Sequence, residues 1–456
     1  MSERKLFGTD GIRGIINVEL NPQFLVRLAL AIGSYFQEGS RVLIGMDSRA
    51  GGEAIKGIIA GTLIFTGLKV YDAGYTPTPA LQYAIKSLGF DGGVMVTASH
   101  NPPEYNGIKV IGPHGIEVDR DEERKIEELF WEMRYRSVDW RGLSASITPY
   151  HGVNDIYVDA IVEKVDKDII AKKGFKVLVD PANNVGALTT PKLLRRLGVK
   201  PLVINGTLDI EPARLPEPTP ETLRDTAKIV AETGCILGVG HDSDADRALM
   251  IDEKGRVFWG DRSATLLAKY LKAVRNEKGK VYTAVSSSMI IEEVVKPLNV
   301  DVVWLKVGSV DIAHAMFKSG DAMCGFEENG GFMYPPHQYV RDGGMKTALF
   351  LEMLAKLNAR PSELFDQLPR YHVIKAKYNM PREMALRVIE MAKDVFKDHR
   401  QITIDGVKVI SSDYWVLIRP SGTEPLLRVM IEARSEELAI KLREQVENLV
   451  KEVSRT

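Results

Sequence analysis

The sequence predicts a multidomain α/β protein: three related α/β domains with mixed sheets, followed by a smaller C-terminal α+β domain. Three observations carry this. At 456 residues the chain is too long for one simple hydrophobic core, since about 150 residues per domain is the usual scale. A unit of apolar strand, Gly- or Ser-rich turn, amphipathic helix and second apolar strand recurs along it. After Pro369 that unit gives way to short strands separated by turns, with only two helical stretches between them.

The first repeat is RVLIGMDSR (41–49) with GEAIKGIIAGTLIFTGLKVYDAG (52–74). The second is KVLVDPANNVG (176–186) with TTPKLLRRLGVKPLVIN (189–205), and the third KVYTAVSSS (280–288) with MIIEEVVKPLNVDVVWLKVG (289–308). In each, residues spaced for one helical face lead to a Leu- or Gly-containing stop and a Val/Ile-rich strand, the β-α-β pattern of mixed or parallel sheets. The remainder reads YHVIKAKYNM (371–380), a helix over 381–398, then ITIDGVKVI (402–410), WVLIRPSG (415–422), LLRVMIEA (426–433) and a charged helix. These strands predict a partly antiparallel sheet. Turn-rich joints near 144–154, 252–255 and 360–369 divide the chain into 1–148, 149–251, 252–366 and 367–456.

Hydrophobic residues make up 45% and charged residues 27% of the chain, which excludes general disorder. Sixty Lys and Arg against sixty-one Asp and Glu leave a net charge of −1. No bulk field therefore draws the chain to nucleic acid or to an anionic membrane, and any phosphate binding has to be local. Cys235 and Cys324 are too few for a disulfide framework or a cysteine-rich zinc site and are expected to be buried free thiols. The opening MSERKLFGTDGIRG has no apolar signal core, and no apolar run reaches the ~18 residues that span a bilayer. A cytoplasmic protein without a membrane partner is expected.

Four loops carry chemistry. In VMVTASHNPPEYNGIK (94–109) a β-branched strand runs into Ser99, and the following prolines forbid helix continuation. Ser99, His100 and Lys109 together offer a hydroxyl, a proton-transfer group and a cation for an anionic intermediate. Taken alone, the segment reads as a capped turn, because adjacent strand side chains point to opposite faces. In CILGVGHDSDADRALMID (235–252), Asp242, Asp244 and Asp246 alternate between two apolar strands, a set of hard oxygen ligands suited to Mg²⁺ or Ca²⁺. An EF-hand is rejected: its sixth position requires Gly and here holds Arg247, and the flanks are strands. A solvated acidic turn fits poorly between apolar flanks with Arg247 beside it.

In MCGFEENGGFMYP (323–335), Glu327, Glu328 and Asn329 offer acceptors for sugar hydroxyls on a tight Gly-Gly backbone. On its own this reads equally as an ordinary acidic turn. In IRPSGTEPLLRV (418–429), Arg419, Ser421, Gly422, Thr423 and Arg428 supply guanidinium forks, hydroxyls and a pliant backbone for an anion. It is a phosphate cradle in composition, distinct from a Walker loop, whose GxxxxGK sequence is absent.

In this order and at these separations the loops resemble the α-D-phosphohexomutase superfamily, from LFGTDGIRG (6–14) through Arg428. The resemblance is closest to archaeal-type phosphomannomutase/phosphoglucomutase. It implies four domains around a central cleft, a phosphoserine at Ser99, and Mg²⁺ held by Asp242, Asp244, Asp246 and the serine phosphate. Arg13, His100, Lys109 and Arg247 match active-site positions, Lys306 a substrate-contacting lysine, 327–331 the sugar-specificity loop, and Arg419, Ser421, Gly422, Thr423 and Arg428 the phosphate loop. Where many members read Glu-x-Ser-Gly-His, this chain ends its sugar loop in Gly331, so a histidine near the reacting hydroxyl is missing. Ser243 stands where Gly is common.

The activity implied is interconversion of hexose 1-phosphate and hexose 6-phosphate, on mannose or glucose, through a hexose 1,6-bisphosphate intermediate. Its partners are small-molecule sugar phosphates, and the oligomeric state stays open. Phosphoglucosamine mutase is the alternative within the family, and a non-catalytic sugar-phosphate sensor the alternative outside it. Three aspartates and a phosphoserine carry roughly −5, which Mg²⁺, Arg13, Lys109 and Arg247 offset. The final phosphate loop has to meet Ser99 across the cleft, so the C-terminal domain is expected to move.

Overall fold

A computed structural model describes residues 5–421 and 425–455. Its first sheet holds β1 (Ile12–Ile15), β2 (Arg41–Met46), β3 (Lys69–Tyr75), β4 (Gly92–Val96), β5 (Tyr105–Ile111) and β6 (Thr148–Pro149), in the order β1-β5-β4-β2-β3-β6. The β2, β3 and β4 strands run parallel because helices Gly52–Phe65 and Thr78–Ser87 cross over between them, whereas β5 turns back antiparallel to β4. That reversal follows the prolines after Ser99, and it returns the chain so that Lys109 lies beside Met95.

The second sheet holds β7 (Lys176–Asp180), β8 (Lys200–Val203), β9 (Leu237–His241), β10 (Ala248–Asp252) and β11 (Val257–Phe258), in the order β11-β10-β9-β7-β8. Again a parallel core, β8-β7-β9, is extended by antiparallel strands. The turn after Asp252 joins β10 to β11 within this sheet, with Asp252 accepting from the backbone N–H of Lys254 and Arg256. The second sheet thus continues past 251, because the polar turn read from the sequence as a joint is a hairpin. The third sheet holds β12 (Lys280–Ala284), β13 (Val302–Leu305), β14 (Ala322–Phe326) and β15 (Phe332–Met333), with β13-β12-β14 parallel and β15 antiparallel.

The fourth sheet holds β16 (His372–Asn379), β17 (Arg400–Ile402), β18 (Val407–Ile410), β19 (Tyr414–Pro420) and β20 (Leu426–Ala433), in the order β16-β20-β19-β18-β17. Every pairing is antiparallel, where the sequence suggested a partly antiparallel sheet. Helices Arg382–Val395 and Glu436–Arg455 pack against it through Val388, Ile389, Leu442 and Val446.

The sheets are not equally joined. One continuous apolar core runs from Leu43 and Ile85 of the first unit through Val179 and Leu237 of the second to Phe326 and Leu364 of the third. Helix Gly343–Leu357 threads this core and is buried from Gly343 to Ala355. The fourth unit has its own core and meets the third through a small cluster of Val285, Met289, Trp415 and Leu417. Cys235 and Cys324 are buried free thiols, as expected. No helix among the described residues is long and apolar enough to cross a membrane.

Candidate active site

The site begins where β4 ends. Ser99 lies just beyond it with φ of 51°, a left-handed conformation that costs a non-glycine residue on the order of 1 kcal/mol or more. Two buried groups hold it there. Thr97 Oγ1 accepts from the Ser99 N–H at 2.8 Å and itself donates to Asp47 Oδ2 at 2.7 Å. The Arg49 guanidinium donates to the carbonyls of Ser99 (2.6 Å), Asn101 (2.7 Å), Pro102 (2.9 Å) and Tyr105 (3.2 Å), and to Ser243 Oγ (3.0 Å). Having left the strand, the chain no longer sends neighbouring side chains to opposite faces. Ser99 Oγ donates to Asp242 Oδ2 at 3.0 Å, and His100 Nδ1 lies 3.4 Å from that serine Oγ.

Asp242, Asp244 and Asp246 lie on the loop from β9 to β10, all buried, with one carboxylate oxygen of each within 4.8 Å of the others. Thr78, at the start of its helix, donates from Oγ1 to Asp244 Oδ2 at 2.6 Å and from its N–H to the Asp244 carbonyl at 3.0 Å. The first unit therefore grips the metal loop of the second. Asp244 Oδ1 and Asp246 Oδ1 are buried oxygens with no hydrogen-bond partner among the described residues. Unpaired buried carboxylate oxygens are costly, and a hard divalent cation satisfies them, so this donor set fits Mg²⁺. The same crowding is felt by Asp242: burial first, then Asp246 and Asp244, raise its carboxyl well above the usual range. Burial also opposes ionisation of Asp244, but Lys109 and the Thr78 hydroxyl bring it down to about 2.

Cations close around this cluster. Lys109 Nζ, fully buried on β5, lies 3.1 Å from Asp244 Oδ2, 3.2 Å from Asp246 Oδ2 and 3.3 Å from Asp10 Oδ2. Burial disfavours its charge, yet the three aspartates raise its pKa and keep it an ammonium. Arg13 donates to Asp10 Oδ2 (2.8 Å) and Asn101 Oδ1 (2.7 Å). Arg247 Nε lies 3.7 Å from Asp242 and 3.9 Å from Asp246. Burial, then Arg247, Arg13 and Arg341, push the His100 pKa well below its ordinary value, which keeps the imidazole neutral.

The 327–331 loop is seated on the metal loop. The Gly330 carbonyl accepts from the Ala248 N–H (3.2 Å) and from Lys346 Nζ (3.1 Å), and the Glu328 carbonyl accepts from the Gly260 N–H (2.7 Å). Gly330, at φ of 107°, passes close against Gly260, and a Cβ on Gly260 would lie 2.2 Å from Gly330 N. Glu327 is buried beside Arg341, whereas the Asn329 amide oxygen accepts from the Gly331 N–H of its own loop at 3.2 Å. Glu328, half-buried, points toward Lys375 of the fourth unit at 3.5 Å.

Thus Ser99, His100, Lys109, Arg13, Arg247, the three aspartates and Glu327 meet in one place. Lys306 is exposed beyond β13, and its side chain makes no hydrogen bond or ion pair among the described residues. On the fourth sheet, Arg419 and Arg428 are paired across β19 and β20, and Arg419 Nε donates to Asp405 at 3.1 Å. Ser421 follows β19, and Gly422 and Thr423 lie outside the described residues. Sequence reasoning missed Asp10, Asp47, Arg49, Thr78 and Arg341. Asp10 and Arg13 share the segment LFGTDGIRG, so a charge count of that segment points to both. Arg49 and Arg341 stand in no motif, and their contacts exist only after folding.

Comparisons with known proteins agree with this arrangement. Four family models described as phosphoglucomutase/phosphomannomutase match in chain order: alpha/beta/alpha domain I over 4–136, domain II over 155–255, domain III over 259–371 and the C-terminal domain over 376–449. A phosphoglucosamine/phosphogalactosamine mutase of Sulfurisphaera tokodaii is 50% identical, covering 98% of this chain and 99% of its own. A phosphoglucomutase/phosphomannomutase of Thermococcus kodakarensis is 39% identical, covering 95% and 96%. Among solved structures, a phosphoglucomutase/phosphomannomutase family protein of Burkholderia thailandensis superimposes with a TM-score of 0.88 at 25% identity, covering 100% of this chain and 98% of that one. The chain belongs to the phosphoglucomutase/phosphomannomutase family of the α-D-phosphohexomutase superfamily.

Proposed function

We propose that the protein is an intramolecular phosphotransferase acting on hexose phosphates, with aminohexose phosphates, glucosamine phosphate first, as its preferred class. The observation that carries the chemistry is Ser99: a strained, immobilised serine whose Oγ lies 3.0 Å from Asp242 at the edge of a three-aspartate cluster. Phosphoryl transfer requires positioning and charge compensation more than covalent assistance. Ser99 carries the phosphoryl group and gives it to the free hydroxyl of a sugar phosphate. In the return half-reaction the Ser99 hydroxyl is the nucleophile, and neutral His100 beside it accepts its proton.

Mg²⁺ held by Asp242, Asp244 and Asp246 would supply Lewis-acid stabilisation of the phosphoryl oxygens when bound. Lys109, Arg13 and Arg247 keep fixed positive charge around the reacting group. Arg419, Ser421 and Arg428, with Gly422 and Thr423, hold the phosphate that is not reacting. Because either end of a hexose 1,6-bisphosphate has to fit there, this loop reads phosphate and leaves sugar identity to 327–331.

On sugar class the balance moves from the mannose and glucose phosphates expected from the loop sequence to amino sugars. The relative named for glucosamine and galactosamine phosphates is 50% identical, against 39% for the one named for glucose and mannose phosphates. Within the loop the Asn329 side-chain oxygen accepts from its own backbone, which leaves the Glu327 carboxylate, held by Arg341, as the acceptor assigned to the sugar, and a carboxylate suits an ammonium substituent. Mannose and glucose phosphates form the second reading, supported by the 39% relative over nearly the whole chain. A silent sensor is disfavoured by the intact set of Ser99, His100, Lys109 and all three aspartates. Coupled assays on glucosamine, galactosamine, mannose and glucose 6-phosphates test the reading. The highest kcat/KM is expected for glucosamine 6-phosphate, and negligible turnover of both amino sugars beside brisk turnover of the other two would reverse it.

A further inference from the structure

Gly331 and Arg341 compete for one volume. A methyl group added at Gly331 would lie 2.3 Å from Arg341 Cδ and 2.7 Å from its Cγ, and the third nearest atom, at 3.5 Å, is Arg341 Cβ. Gly331 does not have a positive φ, so its backbone does not require glycine. It is small because the Arg341 stem runs where its side chain would be. That stem carries a guanidinium, 5% exposed, to the junction of three units. Nη2 donates to Asp246 Oδ2 of the metal loop at 2.5 Å and to Asp10 Oδ2 of the N-terminal segment at 2.8 Å, while Nη1 donates to Glu327 Oε2 of the sugar loop at 3.2 Å.

We infer that Arg341, admitted by Gly331, is a positioning residue that sets sugar discrimination by fixing the Glu327 carboxylate against the metal loop. Engaging Oε2 leaves Oε1 to accept from the sugar. A hydroxyl or ammonium on the substrate is then read at one defined place relative to Ser99 and the three aspartates. Without Arg341 the carboxylate swings, and donors at different ring positions satisfy it alike. This rests on the phosphohexomutase reading above and adds to it the device that orients the sugar-reading group.

The test compares wild type, Arg341→Ala, Arg341→Lys, Gly331→Ala and the double variant on glucosamine and glucose 6-phosphates, with calorimetric binding of glucosamine 6-phosphate in parallel. Loss of one charged partner at a buried site is expected to raise KM roughly 10–100-fold, with a smaller change in kcat. The ratio of kcat/KM between the two sugars should fall about fivefold or more, and Arg341→Lys should recover part of it. Gly331→Ala, which keeps every charge and only displaces the arginine stem, should reproduce the Arg341→Ala signature. In the double variant the Gly331→Ala change should add less than about twofold, because the side chain it obstructs is gone.

Additive effects of the two substitutions, or an equal loss on both sugars with their ratio unchanged, would overturn the inference and leave a packing role only. If Arg341→Ala fails to fold, Gly331→Ala and Arg341→Lys decide by the same ratio. If the wild type turns over no hexose phosphate, the functional reading fails by itself, and the non-additivity is then read from the binding titrations.

Discussion

Ser99 occupies a conformation that glycine adopts freely, and its hydroxyl is the group proposed to carry phosphate. Two substitutions separate these. Ser99→Ala and Ser99→Gly both remove the nucleophile and should abolish turnover in the coupled assay, yet the glycine variant should be the more stable by about 1 kcal/mol in denaturant titration. Equal stability would mean that the backbone at 99 is unstrained. The aspartates give a second prediction. Mg²⁺ at about 100 times its dissociation constant should stabilise the wild type by about 2.7 kcal/mol in thermal unfolding, and Asp244→Asn should lose most of that gain. At this scale much of the site was legible: a serine between a β-branched strand and two prolines, and aspartates at alternate positions between apolar strands, are patterns that chemistry constrains locally. Arg49 and Arg341 were not legible. Their partners are carbonyls and carboxylates far away in sequence, and nothing around either residue signals them.

Among the elements, helix Gly343–Leu357 does the most to assemble the site. Asp342 caps it, accepting from the Met345 N–H, and Arg341 precedes the cap. One turn in, Lys346 Nζ donates to the carbonyls of Ala248 (2.8 Å) and Gly330 (3.1 Å), tying the strand after the three aspartates to the 327–331 loop. Burial pushes the Lys346 amine down to about 7, with Asp261 opposing it. Between about pH 7 and the ordinary lysine value of 10.5 the unfolded chain holds a proton that the folded chain lacks. Stability should therefore rise with pH across that window, by about 1.4 kcal/mol per unit from this residue. Lys346→Met should flatten that slope in chemical denaturation at pH 7 to 10, and an unchanged slope would mean that the amine stays charged. The strand-helix-strand repeats were legible because periodicity is a property of the element itself. The turn at Asp252 joins β10 to β11 within one sheet, and a polar turn looks the same whether it joins two domains or two strands of one sheet.

For the whole molecule, the continuous core of the first three units and the separate core of the fourth define which parts stay together. Ser99 and the three aspartates belong to the fused part, and Arg419, Ser421 and Arg428 to the fourth unit. The latter is seated on the third by Arg400 on Glu292 (2.8 and 3.1 Å), Lys375 on Glu328, and Lys408, whose Nζ lies about 4 Å from the ring centroids of Trp304 and Trp415. Closure of that unit over a hexose 1,6-bisphosphate is expected to lower the radius of gyration in solution scattering. An unchanged profile at saturating ligand would contradict it. The repeats foretold three units and the change of pattern after Pro369 a fourth, but which units share a core depends on helix faces meeting across units, which no local pattern encodes. In the proposed reaction Ser99 carries phosphate between the two ends of an aminohexose. Its most direct measurement is turnover of glucosamine 6-phosphate, with Mg²⁺ and a trace of the 1,6-bisphosphate, by wild type and Ser99→Ala, with peptide mapping of the wild type for phosphate. Turnover with phosphate on the Ser99 peptide is expected of the wild type, and no turnover of the variant. Equal turnover by Ser99→Ala would contradict it.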